Sequence, residues 1–84
     1  MNVPDSLRDI NFSSPVNARI EVKGKLDKNL SEYLCGLKIT NLLIEKKTRI
    51  SRLEGEITDQ AALMGVLNTL YNMRFPIINV MVKQ

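Results

Sequence analysis

Between Gly55 and Val82 the apolar residues change their spacing twice, and that change constrains the fold more than any other feature of the chain. Up to Ile57 the pattern suits the end of an extended strand. From there Ala62, Leu63, Val66, Leu67, Leu70 and Met73 recur at one-, three- and four-residue intervals, which places them on one continuous helical face. Thr58 or Asp59 can cap this helix, and Asp59 also suits the positive end of its dipole. Gln60, Asn68, Thr69 and Asn72 fall largely on the opposite side, so the helix packs on a single sheet surface. Gly65 in the helix interior costs about 1 kcal/mol relative to Ala, which marks a close approach to another backbone. Pro76 ends the turn, and Ile78, Val80 and Val82 then alternate with Asn79, Met81 and Lys83 as a closing strand.

Upstream, Ala18, Ile20 and Val22 alternate with Arg19, Glu21 and Lys23 until Gly24 ends a half-buried strand. Asp27 is the N-cap of a short helix on which Leu30, Tyr33 and Leu34 share a face, with Gly36 as its stop. Leu37 to Ile44 is apolar and β-branched, and after Glu45-Lys46-Lys47 the chain returns through Thr48, Ile50 and Leu53. That is a hairpin with a charged tip. Ile50 and Leu53 fall on opposite faces of a regular strand, which predicts a bulge or an edge position in its second arm. Residues 1–16, with Pro4 and Pro15, read as a flexible arm containing one helical turn after Pro4, and residues 17–84 as a single α+β domain. The order β-α-β-β-α-β predicts a ferredoxin-like split βαβ fold: an antiparallel four-stranded sheet, first and third strands central, with two helices on one face. The other face is left to water or to a partner.

A chain of 84 residues buries only about 60–65% of the surface its unfolded form exposes, and with no Trp its core rests on Leu, Ile, Val and Met. A subunit interface would supplement so small a core, so a homodimer is expected. The chain has no His, which removes the commonest general base and transition-metal ligand. Cys35 is the one cysteine, so neither an intrachain disulfide nor a thiolate metal cluster can form, and its apolar neighbours predict a buried thiol. No basic and apolar leader opens the chain, and no apolar run approaches the roughly 20 residues of a membrane span. The expectation is a cytoplasmic protein with no membrane partner and no cofactor.

Asp59-Gln60-Ala61-Ala62-Leu63, then Gly65-Val66-Leu67, then Pro76-Ile77-Ile78 and Val80 resemble the ending of a group of short, uncharacterised bacterial proteins. The group's Gly-x-Leu-Asp turn is matched by Gly24-Lys25-Leu26-Asp27, and its Gly-Leu-x-Ile-Thr hairpin entry by Gly36-Leu37-Lys38-Ile39-Thr40. The resemblance covers residues 19–80 and implies no particular activity. The chain departs from the group at Met64, where relatives carry His, and at Tyr71-Asn72-Met73-Arg74-Phe75, which replaces an Arg-Asp-Leu-Gly turn.

Glu54, Glu56 and Asp59 could be proposed as hard-cation ligands or an acid–base pair, but no further ligand accompanies them, and solvated strand charges plus a helix cap explain them. Lys46, Lys47, Arg49 and Arg52 are the candidate nucleic-acid contacts in a chain of formal charge +3. Neither Tyr nor Phe falls on a central strand to stack bases, so an ordinary solubilising hairpin is the preferred explanation. Met64 and Tyr71 sit at the edge of the apolar helix face, where they widen the core contact or else join a subunit interface, and with Ile78, Val80 and Val82 of the last strand they are the candidate interface. The expected function is a noncatalytic, dimeric protein-interaction or regulatory domain. A small-ligand sensor with its site at the dimer interface ranks second and nucleic-acid binding third; no nucleophile, base and orienting group assemble for an enzyme.

Overall fold

The computed structural model describes residues 15–83. Alternation in the first strand sets the frame: in β1 (Val16–Lys23) Val16, Ala18, Ile20 and Val22 are buried, while Asn17, Arg19 and Lys23 face water and Glu21 is half-buried. A 3-10 helix (Lys28–Leu34), β2 (Lys38–Ile44), β3 (Thr48–Ile57), α1 (Gln60–Asn72) and β4 (Ile77–Lys83) follow. The fold is α+β: one antiparallel sheet in the order β2-β3-β1-β4, with β1 and β3 central, and two helices. Val16 pairs with Ile57 and is buried, so β1 begins two residues ahead of Ala18. The expected arm over residues 1–14, and the helical turn after Pro4, lie outside the described residues. Among the described residues no helix is long and apolar enough to cross a membrane.

One apolar cluster lies between the sheet and both helices. The inward residues of β1 meet Ile39, Leu53, Ile57 and Val80 on the sheet, and Leu63, Val66, Leu67 and Leu70 of α1 above it. Leu26, Leu34 and Leu37 close the same cluster. Full burial of each such side chain stabilises the fold by about 1.5–3 kcal/mol. Gly55, in register with Ala18, makes room for Leu37. Gly55 has φ +154, and a Cβ there would stand 3.1 Å from Leu37 Cδ2.

Ser51 is the one buried polar side chain of the described residues. It occupies an inward position of β3 and anchors the loop after β1: the Leu26 N–H donates to its Oγ (2.7 Å), which donates to the Gly24 carbonyl (2.7 Å). A hydroxyl carries one hydrogen, so its 2.8 Å contact with the Asn41 side chain requires the Asn41 amide to present its NH2 group.

α1 starts where expected, with the Asp59 carboxylate accepting from the Ala62 N–H at 2.8 Å. It ends in a Schellman motif: the Phe75 N–H donates to the Leu70 carbonyl, the Arg74 N–H donates to the Tyr71 carbonyl, and Arg74 sits left-handed at φ 65. The hairpin tip is also left-handed. Glu45 (φ 53) and Lys46 (φ 62) are the central residues of a turn closed by the Lys47 N–H donating to the Ile44 carbonyl, a geometry that favours Asn-Gly.

Several expectations are corrected. The first helix is 3-10, and at three residues per turn Leu30 and Tyr33 align while Leu34 turns away from them. Leu34 enters the core, Leu30 is half-buried, and Tyr33 projects into solvent. Cys35, expected to be buried, is exposed because it takes the left-handed C-cap position (φ 58). β3 has no bulge and is not an edge; it pairs in unbroken register on both sides. Ile50 lies in register with Lys23 and Leu42 on the face away from the helices, and Ser51 takes the inward place beside it. The irregularity sits in β4, where Ile78 is extra between the pairs Ile77–Val22 and Asn79–Glu21. Among the described residues nothing comes within 4 Å of a Cβ at Gly65, so no close backbone approach there explains it.

Candidate functional site

The face of the sheet away from the helices is a charge checkerboard. Arg19 of β1 is opposite Glu54 of β3, with Nε donating to Oε2 at 3.1 Å. Two residues along, Glu21 is opposite Arg52, whose Nη2 and Nε reach its Oε2 at 3.1 and 3.3 Å. Asn79 of β4 donates to the other Glu21 oxygen at 3.4 Å. Glu21 and Glu54 each have a cation on the neighbouring strand, and no aromatic ring lies among these residues. The centre of this face is thus neutralised and offers no stacking platform.

The basic hairpin residues do not form one surface. Arg52 is held by Glu21 on the open face, Lys46 and Lys47 stand at the tip, and Arg49 lines a groove on the helix side with Lys25, Lys28, Asn29 and Asn41. The three carboxylates before α1 also separate: Glu54 joins Arg19, Glu56 is exposed opposite Asn17, and Asp59 caps the helix. Among the described residues no group of three or more His, Cys, Asp or Glu could hold a metal ion.

The five candidate interface residues have unequal standing. Tyr71 is 53% exposed and Ile78, at the β4 bulge, 52%. Met64 and Val82 are half-buried against the core edge. Val80 is only 7% exposed, pairs with Ile20 and belongs to the core of its own chain, so little of it is left for a partner. Met81, opposite Arg19 on the open face, is exposed in its place. The strand alternation carried that signal, since residues that pack under α1 cannot also face outward.

The outer side of α1 is the least usual surface. None of its thirteen residues is charged, and Ala61, Gly65, Asn68, Tyr71 and Asn72 are exposed along it. At its C-terminal end Tyr71, Asn72, Arg74, Phe75 and Pro76 line a shallow cavity of about 460 Å³. Residues 17–81, the whole sheet and both helices apart from the terminal strand residues Val16, Val82 and Lys83, match the family model of a domain of unknown function, DUF8691. The chain belongs to the DUF8691 family. No curated protein and no solved structure matches it. The DUF8691 domain thus comprises β1 to β4 with the charge checkerboard and the uncharged helix, and its membership carries no activity with it.

Proposed function

We propose that the DUF8691 domain is a noncatalytic cytoplasmic interaction module that works as a homodimer or as a small regulatory subunit, built on the ferredoxin-like plan. Read from the β4 edge, the strand order is β4-β1-β3-β2, and this supports the split βαβ assignment, with the 3-10 helix standing for its first helix. The observation that carries the functional reading is α1, a surface helix of thirteen residues without a charge. A helix that faces only water gains solubility from charged residues, whereas subunit contacts are depleted of Lys and Glu and enriched in Tyr and Met. Gly65, open to solvent at mid-helix, is tolerable where a second backbone comes close from outside. Tyr71 and Ile78 extend the same uncharged side toward the β4 edge.

Sedimentation velocity tests this reading. The expected result is a dimer that Tyr71→Glu and Gly65→Arg each convert to a monomer. A wild-type monomer, or a dimer that both changes leave intact, removes this face from the proposal.

A small-ligand sensor is the second reading, favoured by the cavity at the C-terminal end of α1, where a volume of about 460 Å³ lies in the range of small-molecule sites. Native mass spectrometry decides it: a discrete excess mass that vanishes on denaturing supports a ligand, and its absence leaves the interaction reading ahead.

A further inference from the structure

Three connections meet at one end of the sandwich: Gly24–Asp27 before the 3-10 helix, the Glu45–Lys47 hairpin tip, and the Met73–Pro76 turn after α1. Backbone pairing holds them together, because the Gly24 N–H donates to the Arg49 carbonyl and the Lys23 N–H donates to the Pro76 carbonyl. Four cations lie in these connections, Lys25, Lys46, Lys47 and Arg74, and Lys28 and Arg49 line a groove with Lys25 and Asp27 beside them, six in all against two carboxylates, Asp27 and Glu45. Among the described residues none of the six joins an ion pair; the pairs that do form are those of the open sheet face. These eight residues carry +4, whereas the other charged residues among those described, five cations and five carboxylates, sum to zero. The described part of the molecule is electrically lopsided, with its positive charge at one pole.

The same pole exposes aliphatic side chains. Leu43 and Ile44, 57% and 44% exposed, are the last residues before the hairpin tip, and Met73 is exposed at the end of α1. An exposed apolar side chain gains nothing from phosphodiesters. Nucleic-acid sites instead present series of rings for stacking; Phe75 is half-buried with its edge against Gly24, which leaves Tyr71, beside Arg74, as a lone exposed ring at this end. Cations surrounding a few protruding aliphatic residues are the combination that suits a lipid headgroup layer over an acyl boundary.

We propose that this pole docks on a bilayer surface containing anionic lipid, with Leu43, Ile44 and Met73 entering the headgroup boundary and the six cations facing lipid phosphate and carboxylate. The expectation of no membrane partner rested on the lack of a spanning segment, and surface docking needs none. The proposal does not rest on the proposed dimer: Tyr71 and Ile78 border this pole, but Leu43, Ile44, Lys46 and Lys47 belong to the β2–β3 hairpin, and β2 is the sheet edge opposite β4.

Vesicle flotation of the full chain tests it, with phosphatidylcholine vesicles doped with phosphatidylserine and undoped vesicles as control. The expected result is flotation only with the doped vesicles. Each cation near an anionic surface is worth about fivefold in affinity, so Lys46→Gln with Lys47→Gln weakens binding about 30-fold. Leu43→Ser with Ile44→Ser weakens it tenfold or more; both positions are exposed, and an unchanged circular dichroism spectrum verifies the fold. No flotation with doped vesicles at low salt overturns the proposal. So does flotation that the Leu43 and Ile44 changes leave intact, and competition by a single-stranded oligonucleotide would then identify a general polyanion site.

Discussion

Gly24 lies against the ring of Phe75: a Cβ on Gly24 would stand 3.1 Å from Phe75 Cε1, and its φ of +114 is one that side chains rarely adopt. The end of β1 and the turn after α1 are thereby in contact through a residue with no side chain. Gly24→Ala should destabilise the domain by about 1–3 kcal/mol, from backbone strain together with displacement of the ring. Urea unfolding measures it. In Phe75→Leu the steric share shrinks while the strain remains, so the double-mutant cycle should show coupling between the two positions. Strictly additive effects would mean that the ring is not displaced.

Ser51 offers a second prediction. Ser51→Ala leaves the Leu26 N–H and the Gly24 carbonyl without their buried partner, and each unsatisfied group costs about 1–3 kcal/mol. The urea midpoint should fall accordingly, and the Leu26 amide should lose hydrogen-exchange protection beyond the global loss. Equal loss across all core amides would show that the loop is held by other contacts.

The two ion pairs of the open face should differ in strength. The Arg52 and Glu21 side chains are 31% and 20% exposed, against 45% and 38% for Arg19 and Glu54. Double-mutant cycles should return a coupling energy for the first pair near the upper end of the ~0.2–1 kcal/mol usual for surface pairs, and a smaller one for the second. Repeating both cycles at high salt should shrink the Arg19–Glu54 term more.

Arg74 occupies the left-handed C′ position of a Schellman motif, where glycine is preferred. Arg74→Gly should therefore raise stability by about 1 kcal/mol, read as a higher midpoint of thermal unfolding with unchanged secondary structure. A fall instead would mean that the Arg74 side chain makes a stabilising contact.

Periodicity made the elements legible. The Leu63–Leu70 stripe and the Asp59 cap located α1, the alternation of Ala18, Ile20 and Val22 located β1, and the central place of β1 and β3 followed from element order. What stayed illegible was set by contacts distant in sequence. Ile50 and Leu53 on opposite faces suggested a bulge because nothing local showed that Ser51 would fill an inward site by bonding Leu26 and Gly24 across the core. Three residues per turn rather than 3.6 sent Tyr33 outward, and a 3-10 helix of seven residues has no periodicity distinct from a short α-helix. Of the candidate interface residues, Tyr71 and Ile78 are exposed, whereas Val80 is taken up by the core because it faces inward opposite Ile20. The basic pole was hidden, because three connections far apart in the chain contribute to it.

The checkerboard also bears on how the chain finds its pairing. A slip of β1 against β3 by one residue is opposed by burial, since it turns every inward side chain outward. A slip by two keeps every side chain on its proper face, and the apolar pattern scarcely resists it. In the native alignment Arg19 meets Glu54 and Glu21 meets Arg52. Moved two residues one way, Arg19 would face Arg52; moved two the other way, Glu21 would face Glu54 and Lys23 would face Arg52, against one favourable pair of Arg19 with Glu56. Four surface charges thus reject the two nearest misalignments that the hydrophobic core alone would accept, so their main effect falls on misfolded competitors rather than on the native state.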